Sequence, residues 1–348
     1  VFILTLLQMK KSEKSMTAIL ASAMAEGPID YARYIETVLY TPEVGYYTRA
    51  RERVGRNQQS DFYTAESLGS VFAECVIAAA CNLLGKECTP ADFSFIEIAA
   101  EPGCGLLQSV THPFKDSRIL RQGEALQVSG QSVVFANEWL DALPFHRLCF
   151  YQGHWRECGV AITQDGELRE CFLPEPSPAV KAIHGRLPEE AQEGYRLDLP
   201  LAAEAALRAL LEQGWTGVLM LFDYGQRWDA LLHDLPQGTA RTYYRHTQGS
   251  DLLATPGERD ITCDVIWDPL QAISHDTGFS AVSVQRQESF FMHHAQEPIA
   301  RIMQAQVGQF SPQRQTLMEL LHPGNLGHRF QVLNGQRLQT KEPIAKIH

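Results

Sequence analysis

An amide and two carboxylates stand where an apolar run ends. Val134-Phe135-Ala136 is followed by Asn137 and Glu138, and Asp141 comes about one helical turn later. Ligands of open α/β sheets lie outside the carboxyl ends of the strands. An amide and two carboxylates at such an exit could hold a guanidinium through charge-assisted, bidentate bonds. The same residues could instead begin a helix, with Asn137 as N-cap and the two acids favouring the dipole. A second apolar run, residues 93–98, leads to Gly103-Cys104-Gly105. Glycines there let backbone approach a nucleotide closely, and an acid about twenty residues later commonly bonds ribose hydroxyls. Glu124 lies near that distance. A plain turn explains the glycines equally well. Asp223-Tyr224-Gly225 ends a third run, residues 217–222, either as a site or as a strand-ending turn. In Ser60-Asp61-Phe62-Tyr63-Thr64-Ala65-Glu66, Asp61 and Thr64 could cap a helix beginning near Ser67 and serve a ligand as well.

The elements that must position these residues follow from periodicity. Residues 16–39 read as helix broken at Gly27-Pro28, with Ile29, Tyr34, Ile35, Val38 and Leu39 recurring every three to four positions. Pro42 ends that helix by disfavouring the α conformation at Thr41. Residues 43–63 read as loop and 68–84 as helix. Short apolar runs at 93–98, 118–120, 132–136 and 217–222 read as buried parallel strands, with a helix at 201–211 before the last. This alternation predicts a doubly wound α/β sheet. The stretch 151–200 carries Pro174, Pro176, Pro178 and Pro188 and reads as a hairpin plus an extended insertion. Helix and strand alternate again over 261–333. The expected division is a tail over 1–15, a helical segment over 16–90, and a core over 91–348 with its insertion around 151–200.

The chain has 348 residues, 45% of them hydrophobic, which is ample for a large core. A formal net charge of −11 argues against a duplex nucleic-acid binder and suits a cationic ligand or a basic segment. Eight scattered cysteines form no C-x-x-C pair, so no zinc spacing is present and no metal is expected; buried free thiols in a reducing compartment are. Val1 to Leu7 is apolar, but Lys10, Lys11 and Lys14 follow it, the reverse of a secretory signal, and the run is too short to span a bilayer. The expectation is a soluble cytoplasmic protein, with Met9 or Met16 as its start.

Together these motifs resemble the MidA family of S-adenosylmethionine (SAM)-dependent methyltransferases. The resemblance runs from Gly27-Pro28-Ile29 through Leu39-Tyr40-Thr41-Pro42-Glu43-Val44-Gly45-Tyr46-Tyr47. Ser60 to Glu66 is similar to the family's G-D-F-x-T-A/S-P-E, and Asn137 to Pro144 to its N-E-x-x-D-A-L-P. Asp223-Tyr224-Gly225 resembles D-Y-G. Gly238-Thr239-Ala240-Arg241 with Tyr244 and His246 resembles G-T-L-R-x-Y-x-x-H. Pro256-Gly257 with Asp260-Ile261-Thr262, and Leu326 to Leu333, resemble P-G-x-x-D-I-T and M-G-x-x-F-x-V-L. The resemblance implies a Rossmann-like fold, SAM as cofactor and an arginine on a partner protein as substrate. On this reading Asp61, Thr64, Glu97 and Gly103 bind the cofactor, with Gly105 and Glu124 added from their spacing, and Glu138, Asp141 and Asn137 serve catalysis. A homodimer is compatible with it.

Three departures stand out. The family's turn, roughly E-x-G-x-G-x-G, aligns with Glu97-Ile98-Ala99-Ala100-Glu101-Pro102-Gly103, where two glycines are replaced. The family also places a strand ending in V-E, a helix and another strand before N-E. Here that interval is short, so at least one β-α unit is lost or shortened. Ser60 and Ser67 replace a glycine and a proline. An active methyltransferase is the first reading; a non-catalytic binding or assembly module that kept the fold is the alternative.

Overall fold

The computed structural model describes residues 15–49, 69–100, 103–121, 123–245, 247–304, 311–322, 324, 327 and 330–338. The chain divides into two compact units. The first is Val1–Thr64, Leu140–Ala205 and Gly225–Ile266; the second is Ala65–Trp139, Ala206–Tyr224 and Trp267–His348. Elements are numbered along the chain, and the boundary between units falls within helix α5 (Leu201–Leu211). Residues 16–90 contribute to both units.

The first unit begins with α1 (Met16–Ala23), β1 (Ile29–Asp30) and α2 (Tyr31–Tyr40). Asp30 caps α2, accepting from the Arg33 amide at 2.8 Å. Tyr31, Tyr34, Ile35, Val38 and Leu39 form its buried stripe. Thr41 leaves the helix extended (φ −60°, ψ 127°) immediately before Pro42, as the sequence predicts. Strands β5 (His146–Tyr151), β6 (His154–Ile162), β7 (Leu168–Phe172) and β8 (Arg196–Leu199) join β1 in a five-stranded sheet ordered β1-β6-β5-β8, with β7 on β6. The predicted hairpin is β6–β7; the rest of the insertion supplies a sheet strand and the helix α4 (Pro178–Ile183). Beyond β10 (Gly225–Gln226) and α6 (Trp228–His233), β11 (Arg241–Tyr244) lies between β12 (Thr247–Gly249) and β13 (Asp260–Thr262). Strand β14 (Val265–Ile266) pairs with β10 in parallel. The α2 stripe packs into one cluster with Phe145, Val160, Leu252, Ile261 and Cys263.

The second unit holds α3 (Ser70–Leu84) and a six-stranded sheet made of β2 (Ser94–Ile98), β3 (Asp116–Leu120), β4 (Gln131–Asn137), β9 (Thr216–Asp223), β15 (Ser280–Arg286) and β16 (Gln331–Arg337). The order is β15-β16-β9-β4-β2-β3. Strands β9, β4, β2 and β3 are parallel, while β16 and β15 run antiparallel to their neighbours. Val133 to Ala136 and Val218 to Phe222 are all buried, because a parallel strand covered on both faces needs apolar residues at every position. Helices α7 (Trp267–Asp276), α8 (Gln287–His294), α9 (Gln296–Gln304) and α10 (Pro312–Leu321) complete the unit. Phe72 of α3 sits at 6.1 Å from Phe135, 5.8 Å from Phe222 and 6.0 Å from Phe291 (ring centroids), tying helix to sheet. Among the described residues, neither the β2–β3 nor the β3–β4 connection contains an α-helix. Parallel crossovers usually carry one.

Candidate functional site

Strands β2 and β4 are parallel neighbours, so the residues that follow them lie at one end of the sheet. Two of these residues hold strained backbone: Ala99 has φ 63° and Glu138 φ 51°. Neither is glycine, and strain of this kind clusters at functional sites. The Glu138 amide extends the ladder to the Phe222 carbonyl of β9 at 2.9 Å. The Asn137 amide nitrogen donates to Glu138 Oε1 at 3.0 Å. That bond fixes the amide orientation, since the flipped form would set oxygen against carboxylate. Asn137 Oδ1 is then a buried acceptor with no hydrogen-bond partner among the described residues. The helix-capping alternative for Asn137 finds no support: no helix begins there.

The turn after β2 is built by side chains. Glu97 is buried and its Oε2 accepts from the Leu106 amide at 2.8 Å. Burial pushes its carboxyl above the usual range, opposed by that bond and by the charge of Arg121. Arg121, the first residue after β3, reaches the Ala100 carbonyl with Nη1 (3.1 Å) and the Cys104 carbonyl with Nη2 (3.2 Å). It clamps both sides of the turn. Gly103 has φ 81° and open space around it, while a Cβ on Gly105 would meet Ile119 Cδ1 at 2.4 Å. Gly105 therefore has a packing reason to be glycine, and Gly103 a conformational one. Glu124 is exposed and accepts from the Arg121 amide at 3.0 Å, closing its own turn. Asp61 and Thr64, like Glu101, lie outside the described residues.

Asp141 belongs to the first unit, where long-range contacts gather polar groups. It is buried, and its carbonyl accepts from the Cys263 amide at 3.2 Å. Tyr40 and Tyr47 stack at 5.4 Å. The Tyr40 hydroxyl donates to the Ala142 carbonyl (2.7 Å) and the Tyr47 hydroxyl to Asp260 Oδ1 (2.8 Å). Burial first, then the charge of Asp260, holds both phenols far above their ordinary range, so they remain donors. Arg241 pairs with Asp264, which also accepts from Gln226 at 2.7 Å. The G-T-x-R turn wraps a carboxylate: Asp198 accepts from the Thr239 and Ala240 amides at 2.8 Å each and from Arg147 Nε at 2.7 Å. The spacing of the motifs hints at none of these pairings, although Tyr47, Arg241 and Asp260 all stand in them.

A second cluster joins Asp30, His146 and Glu157, whose ligand atoms lie within 4.8 Å of one another. Glu157 already accepts from the Ser177 amide (2.5 Å), Ser177 Oγ (3.0 Å) and His146 Nδ1 (2.7 Å), which makes it a buried hydrogen-bonded anchor. A cavity of about 530 Å³ in the same unit is lined by Leu20, Ile162, Glu167, Glu170, Asp251 and Pro256, none of them a sequence candidate. All eight cysteines are free, but only Cys75, Cys149, Cys158 and Cys263 are buried, and Cys104 is exposed. No described helix is long and apolar enough to cross a membrane.

Residues 114–285 match the family described as "Putative S-adenosyl-L-methionine-dependent methyltransferase". The protein arginine methyltransferase NDUFAF7 homolog, mitochondrial, of Drosophila melanogaster is 24% identical over 90% of this chain and 82% of its own. The protein arginine methyltransferase NDUFAF7, mitochondrial, of Danio rerio is 24% identical over 96% and 90%. Among solved structures, a COG1565 superfamily member from Burkholderia thailandensis bound to S-adenosyl-homocysteine aligns with TM-score 0.81 and 25% identity over 92% of each chain. These relatives correct one expectation. They are named as mitochondrial, which points away from a cytoplasmic location. The cytoplasmic inference rested on a missing secretory signal and on free thiols, and neither separates one reducing compartment from another. Asn137 Oδ1, without a partner among the described residues, and the strained backbone at the strand exits fit a group that brings its own donors. This α/β chain is a relative of the MidA-like S-adenosylmethionine-dependent methyltransferases, an enzyme whose cofactor is S-adenosylmethionine.

Proposed function

We propose that the chain methylates an arginine side chain of a partner protein. The observation that carries this reading is the exit of β4. A carboxylate, Glu138, is set there by strained backbone (φ 51°) and tied to the Asn137 amide at 3.0 Å. A carboxylate complements a guanidinium through charge-assisted bonds. Asp141, three residues on in the sequence, is proposed as a second carboxylate for that role. Bound SAM supplies an electrophilic methyl group. The side chains orient the guanidinium and take its proton, which an isolated guanidinium holds to a pKa above about 12. Asn137 Oδ1 offers the acceptor that a bound N–H would satisfy. Gly103, Gly105 and Glu124 are proposed as the described cofactor contacts, with Glu97 acting through the turn it braces. Asp61 and Thr64 are proposed from the resemblance. The net charge of −11 favours a basic protein segment over a nucleic acid as partner.

The test is transfer of radiolabelled methyl from SAM into protein, followed by hydrolysis and amino-acid analysis. Label in methylarginine is expected. Label in another residue, or none from protein that binds S-adenosylhomocysteine, would refute the arginine assignment.

A further inference from the structure

We infer that the outer edge of β7 is a docking site for an extended basic segment of the partner protein, which adds to the sheet as a further strand and sets alternate side chains into the cavity beside it. This rests on a protein being the partner, not on which of its residues is methylated. Strand β7 pairs with β6, and its other edge carries no strand among the described residues. Its five register pairs run without a bulge, and it contains neither proline nor lysine, devices that usually close an edge to a second chain. Bonded and non-bonded pairs alternate along an antiparallel ladder. The Thr163 amide donates to the Glu167 carbonyl at 2.8 Å, and the Leu173 amide to the Glu157 carbonyl at 2.9 Å. The alternation between those two bonds makes Arg169 and Cys171 the other residues bonded to β6, and turns the backbone N–H and C=O groups of Leu168, Glu170 and Phe172 outward. Such a row is a template for main-chain pairing with a peptide.

The cavity supplies selectivity. Ile162 and Leu168 are direct partners and share a face with Glu170, and both pack against the apolar cluster of the first unit. Buried Leu20 of α1 and half-buried Leu253 line the cavity with them. Its volume of about 530 Å³ lies in the range of ligand pockets, about 300–1,000 Å³. Alternate residues of an added strand point to one face, so an apolar residue and its second neighbour reach the cavity together. Charge selects that second residue. Of the lining carboxylates, Glu170 is neutralised by Arg196 at 2.8 Å, whereas Glu167 and Asp251 form no ion pair among the described residues. Arg169 is the one cation of the lining. The cavity therefore favours lysine or arginine over an acid.

The experiment titrates the full chain with acetyl-Thr-Leu-Thr-Lys-Thr-Val-amide, followed by NMR of the backbone amides. Leucine, lysine and valine of this probe share one face. It carries no arginine, so its binding stands or falls apart from the methyl-transfer assay. Saturable binding is expected, with the amides of Leu168, Glu170 and Phe172 shifting most. The same peptide N-methylated at leucine, lysine and valine keeps its side chains and loses main-chain donors, so it should bind at least about tenfold more weakly. Asp251→Asn keeps the oxygen that accepts from the Leu253 amide at 3.0 Å and removes the charge. It should weaken the basic probe about two- to fivefold and leave unchanged the affinity for a probe with norleucine in place of lysine. No saturable binding, shifts confined to other elements, or an N-methylated probe that binds like the parent peptide would overturn the inference. So would a dimer in sedimentation that dissociates as the probe is added, since the edge would then belong to a second copy of this chain.

Discussion

Replacing Glu138 by glycine should separate stability from activity. Glu138 sits at φ 51°, a region that costs a residue with a Cβ about 1–2 kcal/mol. Glycine removes that strain but gives back about 0.5–1 kcal/mol in chain entropy. The substitution also loses the bond from Asn137 at 3.0 Å, worth about 1 kcal/mol net. These terms nearly cancel, so strain, entropy and that bond together should move the unfolding free energy by less than about 1 kcal/mol. The proposed guanidinium contact would have no such compensation. Removing one partner of a desolvated charge pair costs about 3–5 kcal/mol, a rate loss on the order of 10²–10³-fold or more. Glu138→Gln keeps the size and backbone and loses only the charge, so it should be equally inactive while binding S-adenosylhomocysteine normally. Urea unfolding and initial methyl-transfer rates, measured on the same preparations, read both quantities. If Glu138→Gly unfolds several kcal/mol more easily, the strained residue is serving the fold. If Glu138→Gln remains active, the carboxylate has no part in the chemistry.

Other perturbations probe the frame around that residue. Arg121→Met removes the two bonds that clamp Ala100 and Cys104, and calorimetric titration should show S-adenosylhomocysteine binding weakened about tenfold; unchanged affinity would mean the turn orders itself. Gly238→Ala places a Cβ at 2.3 Å from the buried Asp198 carboxylate, at φ +74°. Denaturant unfolding should register a loss of about 3 kcal/mol or more, and a neutral result would show that the loop relaxes. His294, whose Nδ1 lies 2.7 Å from Asn82 Oδ1, titrates at about 4 rather than 6.5, because of burial first and His293 second. A depressed folded pKa gives a contribution present above the unfolded value and lost as pH falls toward the folded one. Tm should therefore decline between pH 6.5 and 4, and His294→Gln should flatten that decline.

Much of the frame is written in local spacing. The apolar runs at 132–136 and 217–222 became β4 and β9, and the helix expected at 201–211 became α5 with the same bounds. A covered parallel strand and an amphipathic helix each leave a period in the chain, and Pro42 leaves a stop. The same logic sets Asn137 and Glu138 at a strand exit, and the ordered motifs point to the family. Tertiary structure decided what those residues touch. Tyr47 meets Asp260 across more than two hundred residues, and Arg121 rather than an acid closes the turn after β2. Gly105 makes room for Ile119, Glu124 folds back on its own loop, and the buried Thr262 hydroxyl finds no partner among the described residues. Such pairings depend on strand register and on the crossing of distant segments, to which a residue's sequence neighbours contribute little. Periodicity says which face a side chain takes, and only the packed chain brings that face to a partner.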